Sequence, residues 1–311
     1  MKTLKKTLLA TAAVAAMGLG MLPAAHADTF ASAILRINNF TLRHAPGGPD
    51  FRVSDFSMLT GTNDARVSAI LNGVQMQDQA SVNILSPTPP DLLQKCAGPC
   101  PTGENTLLPI AIPGTNFAHA DELLTGSSIA PNGGPAPGAN AFTRADAGTV
   151  SSPNDANGSS NVGTSTTFQF SVTTPGSMTV EFDAIPFLQA FVSPGAAQNS
   201  NANASLHWNI SILDLTAGTT LLSQNPGEIN QSRSATDGAP ANVLYNPGLS
   251  TFSYSFTTNT ALVTGRDYQL TVGHETETNA LQQEVPEPGT PAVLGAGLMG
   301  MTLVMRRRKQ K

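Results

Sequence analysis

The sequence predicts an all-β protein, an antiparallel β-sandwich. Several segments alternate apolar and polar residues with a period of two, which is typical of strands buried on one face. Pro, Gly and Asn residues suited to turns separate these segments, and residues 28–285 show no long helical period. A jelly roll is one sandwich topology that fits this pattern.

The clearest strand patterns lie in the C-terminal half of the chain. Residues 168–172 and 178–182 each place their apolar side chains on one face, and Pro175-Gly176 between them suits a type II turn. We therefore expect a hairpin from 168 to 182. The same alternation predicts further strands at 206–212, 252–256 and 268–272.

In the N-terminal half, strands are expected at 30–37, 51–59 and 66–71. Asn72-Gly73 follows the last of them and is typical of a type I′ turn, in which both central residues have positive φ. The sequence therefore predicts a second hairpin that returns through residues 74–85.

Residues 86–153 depart from this pattern, with 11 Pro and eight Gly among 68 residues. We expect an irregular insertion there, with a short helical turn near 121–124. It would separate two strand groups of one sandwich that spans residues 28–274, although two β-subdomains are an alternative. The polar segment 275–284 is interpreted as a linker.

The two cysteines, Cys96 and Cys100, lie within this insertion. Three residues separate them, whereas a redox pair normally has two, and the neighbouring residues offer no further metal ligands. In an exported protein a local disulfide is the main interpretation.

The N-terminal 27 residues have the parts of a secretory signal peptide, which is an apolar helix that is removed on export. Lys2, Lys5 and Lys6 precede an apolar run from 7 to 22. Small residues at Ala25 and Ala27 then suit signal peptidase, so cleavage by the export machinery is expected between Ala27 and Asp28. An uncleaved anchor helix is the alternative.

The C-terminal tail, residues 285–311, reverses this order. A short motif and an apolar run from 292 to 305 precede a basic cluster; the residues are Val285, Pro286, Glu287 and Pro288, then Arg306, Arg307, Arg308 and Lys309. Basic residues beside an apolar helix stay on the cytoplasmic side, which puts residues 28–285 outside. Counted from Gly289, the run has 17 residues, the lower limit for a transmembrane helix, and this favours a transient span.

This tail resembles the PEP-CTERM sorting signal. The resemblance implies processing by exosortase, a membrane protease-transpeptidase of Gram-negative bacteria that make exopolysaccharide. It also implies an exported protein that passes through the inner membrane and ends at the cell envelope surface or outside the cell. The resemblance covers the tail and leaves the function of residues 28–284 open.

Charge excludes one class of function. Between residues 28 and 284, eight Lys and Arg stand against 20 Asp and Glu, a net charge of −12. Such a domain repels phosphate backbones, so nucleic-acid binding is not expected. Direct contact with anionic polysaccharide is disfavoured for the same reason, unless cations bridge the two.

Motifs for catalysis are lacking: there is no Gly-x-Ser-x-Gly, no His-Glu-x-x-His and no phosphate-binding glycine loop. The mature histidines are scattered, at His44, His119, His207 and His274. We expect no catalytic residue, no metal and no cofactor. Residues 154–158 (Asn-Asp-Ala-Asn-Gly) resemble part of a calcium loop but lack the downstream bidentate Glu.

Glu181 and Asp183 share one face of their expected strand, roughly 7 Å apart, a spacing compatible with glycosidase carboxylates. A solvated face of an acidic protein is the main interpretation. Sugar-binding modules need exposed aromatic rings, yet Trp208, Tyr254 and Tyr268 fall on apolar strand faces, and Tyr245 alone is expected to be exposed.

Three hypotheses for function follow. The first is a non-enzymatic surface or extracellular-matrix protein associated with exopolysaccharide or biofilm. The second is a polysaccharide- or protein-binding module of the cell surface, and the third is a secreted hydrolase.

Overall fold

The computed structural model describes residues 28–132, 134, 138–150, 154–162, 166–194, 196, 199–237 and 242–282, with the backbone alone for 154–162 and 166. These residues include two short 3-10 helices, Val53–Asp55 and Gly227–Ile229. The strands are β1 Thr29–Arg43, β2 Phe56–Leu71, β3 Val74–Asn83, β4 Lys95–Ala97, β5 Phe117–Thr125, β6 Ala139–Thr149, β7 Asn154–Val162, β8 Thr166–Val172, β9 Thr179–Val192, β10 Asn201–Asp214, β11 Thr219–Gln224, β12 Ser232–Thr236, β13 Asn242–Tyr245, β14 Phe252–Thr257 and β15 Tyr268–Gln282.

The strands form two antiparallel sheets, as the sequence predicts. Sheet I has the order β13-β9-β1-β6-β5-β4, and β14 also pairs with β9. Sheet II has the order β11-β10-β15-β7-β2-β3, with β12 on β10 and β8 between β15 and β2. Strands from both halves of the chain share each sheet, so the described residues form one sandwich.

The core lies between the two sheets. At one side large rings fill it, and Phe182 of sheet I lies 4.6 Å from Trp208 of sheet II, centroid to centroid. At the other side the inward residues are small, including Ala69, Ala118 and Ala147. The sheets are therefore packed there through alanines.

One of the two predicted hairpins is confirmed. Asn72 and Gly73 have φ of 50° and 78°, as a type I′ turn requires, and Leu71 pairs with Val74. The hairpin expected over 168–182 is wrong, because β8 belongs to sheet II and β9 to sheet I. The two apolar faces meet across the core, so the connection at 173–178 crosses between sheets.

An irregular insertion was expected over residues 86–153, and this is wrong where the segment forms three strands, β4, β5 and β6. The helical turn expected at 121–124 lies within β5. Strand β6 pairs with both β1 and β5, so this segment contributes to the middle of sheet I. Alternation of large apolar residues is absent here because most inward positions are small or polar, such as Ala118, Ala147 and Thr143, and the outward ones are polar but covered.

The linker expected at 275–284 is wrong up to Gln282. Strand β15 continues to this residue and pairs with β10 and β7 along its length. Its inward residues in this stretch are Thr276, Thr278, Ala280 and Gln282, all buried. The polar residues 275–282 therefore belong to a central strand. Residues 283 and 284 lie outside the described residues.

Candidate functional site

A network of buried charged side chains lies on the outer face of sheet I. His119 and Asp121 on β5 are in register with Asp146 and Arg144 on β6, respectively. His119 Nδ1 is 3.0 Å from Asp146 Oδ2, and the Arg144 guanidinium donates to the same oxygen. All four side chains are fully buried. The register of two neighbouring strands thus brings a histidine, a carboxylate and a guanidinium together.

The network is covered by residues 92–110 of the connection between β3 and β5. Arg144 Nη1 donates to the carbonyl oxygens of Thr106 and Leu108. On the same segment, Gln94 Oε1 lies 2.8 Å from His119 Nε2, and the backbone N–H of Gln94 donates to the Glu104 carboxylate. These contacts join the sheet to the covering segment, so the network holds this segment on the sheet.

The disulfide predicted between Cys96 and Cys100 is confirmed, with an S–S distance of 2.01 Å. Cys96 lies on β4 opposite His119, so the bridge closes a small ring beside the buried network. It therefore reinforces the same covering segment that Arg144 anchors.

Burial and charge shift the pKa values in this region. Burial alone would raise the pKa of Asp146, but the charge of Arg144 and the hydrogen bond from His119 lower it to about 2. Burial and the nearby charge of Glu104 raise the pKa of Asp121 to about 6. On the inner face, burial raises the pKa of Glu122 to about 8, although its carboxylate accepts a hydrogen bond from the Leu92 amide.

A polar groove of about 390 Å³ lies elsewhere on the outer face of sheet I, and it contains the predicted pair Glu181 and Asp183. Glu181 lies 3.0 Å from the Nε of Arg43. Asp183 accepts a hydrogen bond of 2.6 Å from Ser253, and Asn39 Nδ2 lies 3.5 Å from its other oxygen. Both carboxylates are therefore hydrogen-bond or ion-pair acceptors in an open groove, a setting suited to binding hydroxyl or amino groups.

A third feature is a cavity of about 70 Å³ between the sheets, lined mainly by apolar side chains. His274 borders it and lies 3.0 Å from the Thr143 hydroxyl of the opposite sheet, atom Nε2 to Oγ1. Burial lowers the pKa of His274 to about 3, so the ring is neutral at pH 7. This contact joins the two sheets.

The remaining histidines and aromatic rings divide between the surface and the core. His207 is exposed, as predicted, and His44 stacks on Phe51 and contacts Asp55. Trp208 and Tyr268 are buried, as predicted.

The exposure expected for the ring of Tyr245 is not observed. Tyr245 is half-buried, with Arg233 over its ring at 4.7 Å and its hydroxyl bonded to the Glu228 carbonyl. Tyr254 is also half-buried and packs against the core. Among the described residues, no tyrosine or tryptophan forms a fully exposed platform for a sugar ring.

Of the other predicted site residues, Asp28 is described. Its amide donates to the Ser193 hydroxyl at 2.8 Å, immediately before β1 begins. Both other sets lie outside the described residues: the signal residues Ala25 and Ala27, and the tail residues Val285, Pro286, Glu287, Pro288, Arg306, Arg307, Arg308 and Lys309.

No three His, Cys, Asp or Glu side chains within the described ranges group closely enough to hold a metal ion. Residues 154–158, which resemble a calcium loop in sequence, belong to strand β7. Among the helices that the structure describes, none has the length and apolar character needed to cross a membrane.

The fold defines the described part of the chain as an antiparallel β-sandwich domain with a buried polar network and an open polar groove. Residues 284–309 match the family model of the PEP-CTERM protein-sorting motif, which confirms the resemblance seen in the tail. The motif implies an exported protein with a membrane-anchored precursor that exosortase processes. No curated protein and no solved structure matches the chain.

Proposed function

We propose that this chain is a non-enzymatic surface or extracellular-matrix protein, delivered through its PEP-CTERM tail and associated with exopolysaccharide or biofilm. The tail match at residues 284–309 is the observation that carries the proposal. The position of the sandwich supports it, because strands β1 to β15 lie between the predicted signal peptide at residues 1–27 and the tail motif at 284–309.

The non-enzymatic part of the proposal is supported by the chemistry of the two polar sites. The side chains of the buried network have no solvent exposure and bind one another and the covering segment. A glycosidase needs one carboxyl group that donates a proton, whereas Glu181 and Asp183 both accept from donors in the groove.

Fractionation of the native bacterium, with and without its exosortase, tests the proposal. Wild type is expected as a shorter, surface or released form that becomes a full-length membrane form when the enzyme is missing. Replacement of Pro286, Glu287 and Pro288 by Ala should leave export intact and trap the same full-length form, because the signal peptide and apolar helix are unchanged. Equal size and location in every strain would contradict exosortase processing.

A second candidate, a polysaccharide-binding module, is favoured by the open groove with Asp183, Arg43 and Asn39. Since the exported domain has a net charge of −12, neutral or amine-bearing sugars suit it better than anionic ones. Asp183→Asn should weaken binding to a glycan array roughly tenfold, as expected for one hydrogen bond to a charged group. Asp237→Asn, an exposed carboxylate outside the groove, is the matched control. Equal binding by both variants would exclude the groove.

A further inference from the structure

Among the described strands, β3 is the longest that lies at the edge of a sheet. It has 10 residues, and of the described strands it pairs with β2 alone. The other described strands with a single partner, β4, β11, β12, β13 and β14, have three to six residues. The backbone N–H and C=O groups along such an edge are a template for a further strand.

The hairpin turn determines which backbone groups of β3 face this edge. In a two-residue type I′ turn the Val74 N–H donates to the Leu71 carbonyl, so these two residues form a hydrogen-bonded pair. Hydrogen-bonded pairs alternate along an antiparallel ladder, and the register of β2 and β3 has no shift. The alternate backbone groups therefore point away from β2; they belong to Gln75, Gln77, Gln79 and Ser81.

Few of the features that protect edge strands occur in β3. The strand has no Lys, no Pro and no bulge, and residues 74–79 are all exposed. Its one charged residue is Asp78, whose Oδ2 lies 2.9 Å from the Nζ of Lys95 and whose other oxygen accepts a hydrogen bond from the backbone N–H of Gln79. The edge is therefore locally neutral in an exported domain with a net charge of −12.

We infer that β3 pairs with the β3 strand of a second copy of this chain, antiparallel across a two-fold axis. Two acidic copies repel each other least where their surfaces are neutral, whereas a basic partner would be attracted to the acidic surface elsewhere. The edge is also self-complementary, as a two-fold interface requires, because each residue that faces it offers one N–H and one C=O. Glutamine side chains likewise both donate and accept.

The side chains of β3 select the register of this pairing. An axis through Asp78 would place two carboxylates directly opposite each other, which is unfavourable. An axis through Gln77 would set Met76 against Asp78. An axis through Gln79 pairs nearly the whole strand and sets Met76 of each copy opposite Val82 of the other. Met76 has an exposed fraction of 46%, and this pairing covers it. The axis therefore passes through Gln79.

Such pairing joins sheet II of two copies into one continuous sheet. It requires neither processing of the tail nor binding of a polysaccharide. A failure of this inference would therefore leave the proposed function standing, and the reverse also holds.

Cysteine crosslinking of the full-length protein in its native bacterium tests the pairing and its register. Cys96 and Cys100 are bonded to each other, so Gln79→Cys introduces a single free thiol. Across the axis the two Cα atoms of this residue are about 5.5 Å apart, within reach of a disulfide. Mild oxidation should therefore give a disulfide-linked homodimer. Gln75→Cys is the matched control, because in this register the two Gln75 residues are about 27 Å apart and should not crosslink.

Gel analysis followed by mass spectrometry identifies the crosslinked partner. Crosslinking at Gln75 that equals or exceeds crosslinking at Gln79 would overturn the inference, and so would its absence at both positions. A crosslink from Gln79→Cys to a different protein, without a second copy of this chain, would also overturn it.

A proline variant tests the edge without an added thiol. Gln77→Pro removes an N–H that points away from β2, so the hairpin keeps its hydrogen bonds. Each copy then loses one bond to the other, and the dissociation constant of the dimer should rise at least about tenfold. Gln77→Thr keeps the N–H and should dimerise like wild type.

Analytical ultracentrifugation of protein purified from the native bacterium measures these constants, and an intact Cys96–Cys100 bridge with an unchanged circular dichroism spectrum verifies folding. A wild type that is monomeric at every concentration measured would overturn the inference. Equal dissociation constants for wild type and folded Gln77→Pro would do the same, because the contact would then lie elsewhere.

Discussion

At the scale of single residues, Arg144 is a buried cation that joins two parts of the fold. Its guanidinium is fully buried, pairs with Asp146 and donates to two carbonyl oxygens of the segment 92–110. A buried ion pair is weak support for net stability, but removing one partner leaves the other charge uncompensated. The network therefore makes the attachment of this segment depend on one side chain.

Arg144→Met tests this dependence. We expect the free energy of unfolding in urea to fall by about 3–5 kcal/mol, since the Asp146 carboxylate would remain buried without its cation. Limited proteolysis should then cut first within 92–110. Arg66→Met, at an exposed arginine, is the control and should change stability by less than about 0.5 kcal/mol. Equal effects of the two substitutions would contradict the anchoring role.

His274 gives a prediction for acidic pH. Its pKa is lowered by burial from 6.5 to about 3, so the unfolded chain binds a proton in this interval and the folded protein does not. Stability contributed by the neutral ring is present above pH 6.5 and is lost as the pH falls toward 3. The slope from one such group is at most about 1.4 kcal/mol per pH unit.

The measurement compares urea unfolding of wild type and His274→Gln from pH 7 to pH 4. Wild type should lose more stability over this range than the variant does. Asp121 and Glu122 have raised pKa values and act in the opposite direction, but they are present in both proteins and cancel in the difference. His207→Gln, at an exposed histidine, should follow wild type. Parallel curves for wild type and His274→Gln would contradict a neutral buried ring.

At the scale of strands, β15 differs most from its expected length. A protein that spans residues 28–274 loses the pairing of 275–282 with β10 and β7, together with the buried Thr276, Thr278 and Ala280. It should not unfold cooperatively, whereas a protein that spans 28–283 should. Thermal unfolding followed by circular dichroism distinguishes the two. The same melting temperature for both proteins would contradict this expectation and indicate that residues 275–282 are a linker.

Strands with large alternating apolar residues were predictable, and those with small or polar inward residues were not. The alternation of apolar and polar residues around Trp208 and Tyr254 predicts β10 and β14. β5 and β6 place Ala118 and Ala147 inward, which carries little hydrophobic signal.

The buried network was missed for the same reason. His119 and Asp121, like Arg144 and Asp146, are two residues apart, a spacing that indicates a shared strand face once the strands are known. What covers that face depends on the connection between β3 and β5, and pattern alone does not reveal it.

At the scale of the whole molecule, one sandwich lies between the predicted signal peptide and the PEP-CTERM motif. Thr29 and Gln282 both lie beside Thr149, while the polar groove involves strand positions near Glu181, Arg43 and Gly138. Thr29 and Arg43 are the first and last residues of β1, so the groove lies at the opposite end of this strand from Thr29.

The most direct test of the account is the intact mass of the protein isolated from the native cell envelope or medium. The account predicts a chain that begins at Asp28, ends near Pro286 and lacks the apolar run at 292–305 and the basic cluster at 306–309. A mature protein that retains both Met1 and Lys311 would contradict export through a cleaved signal and sorting through the tail.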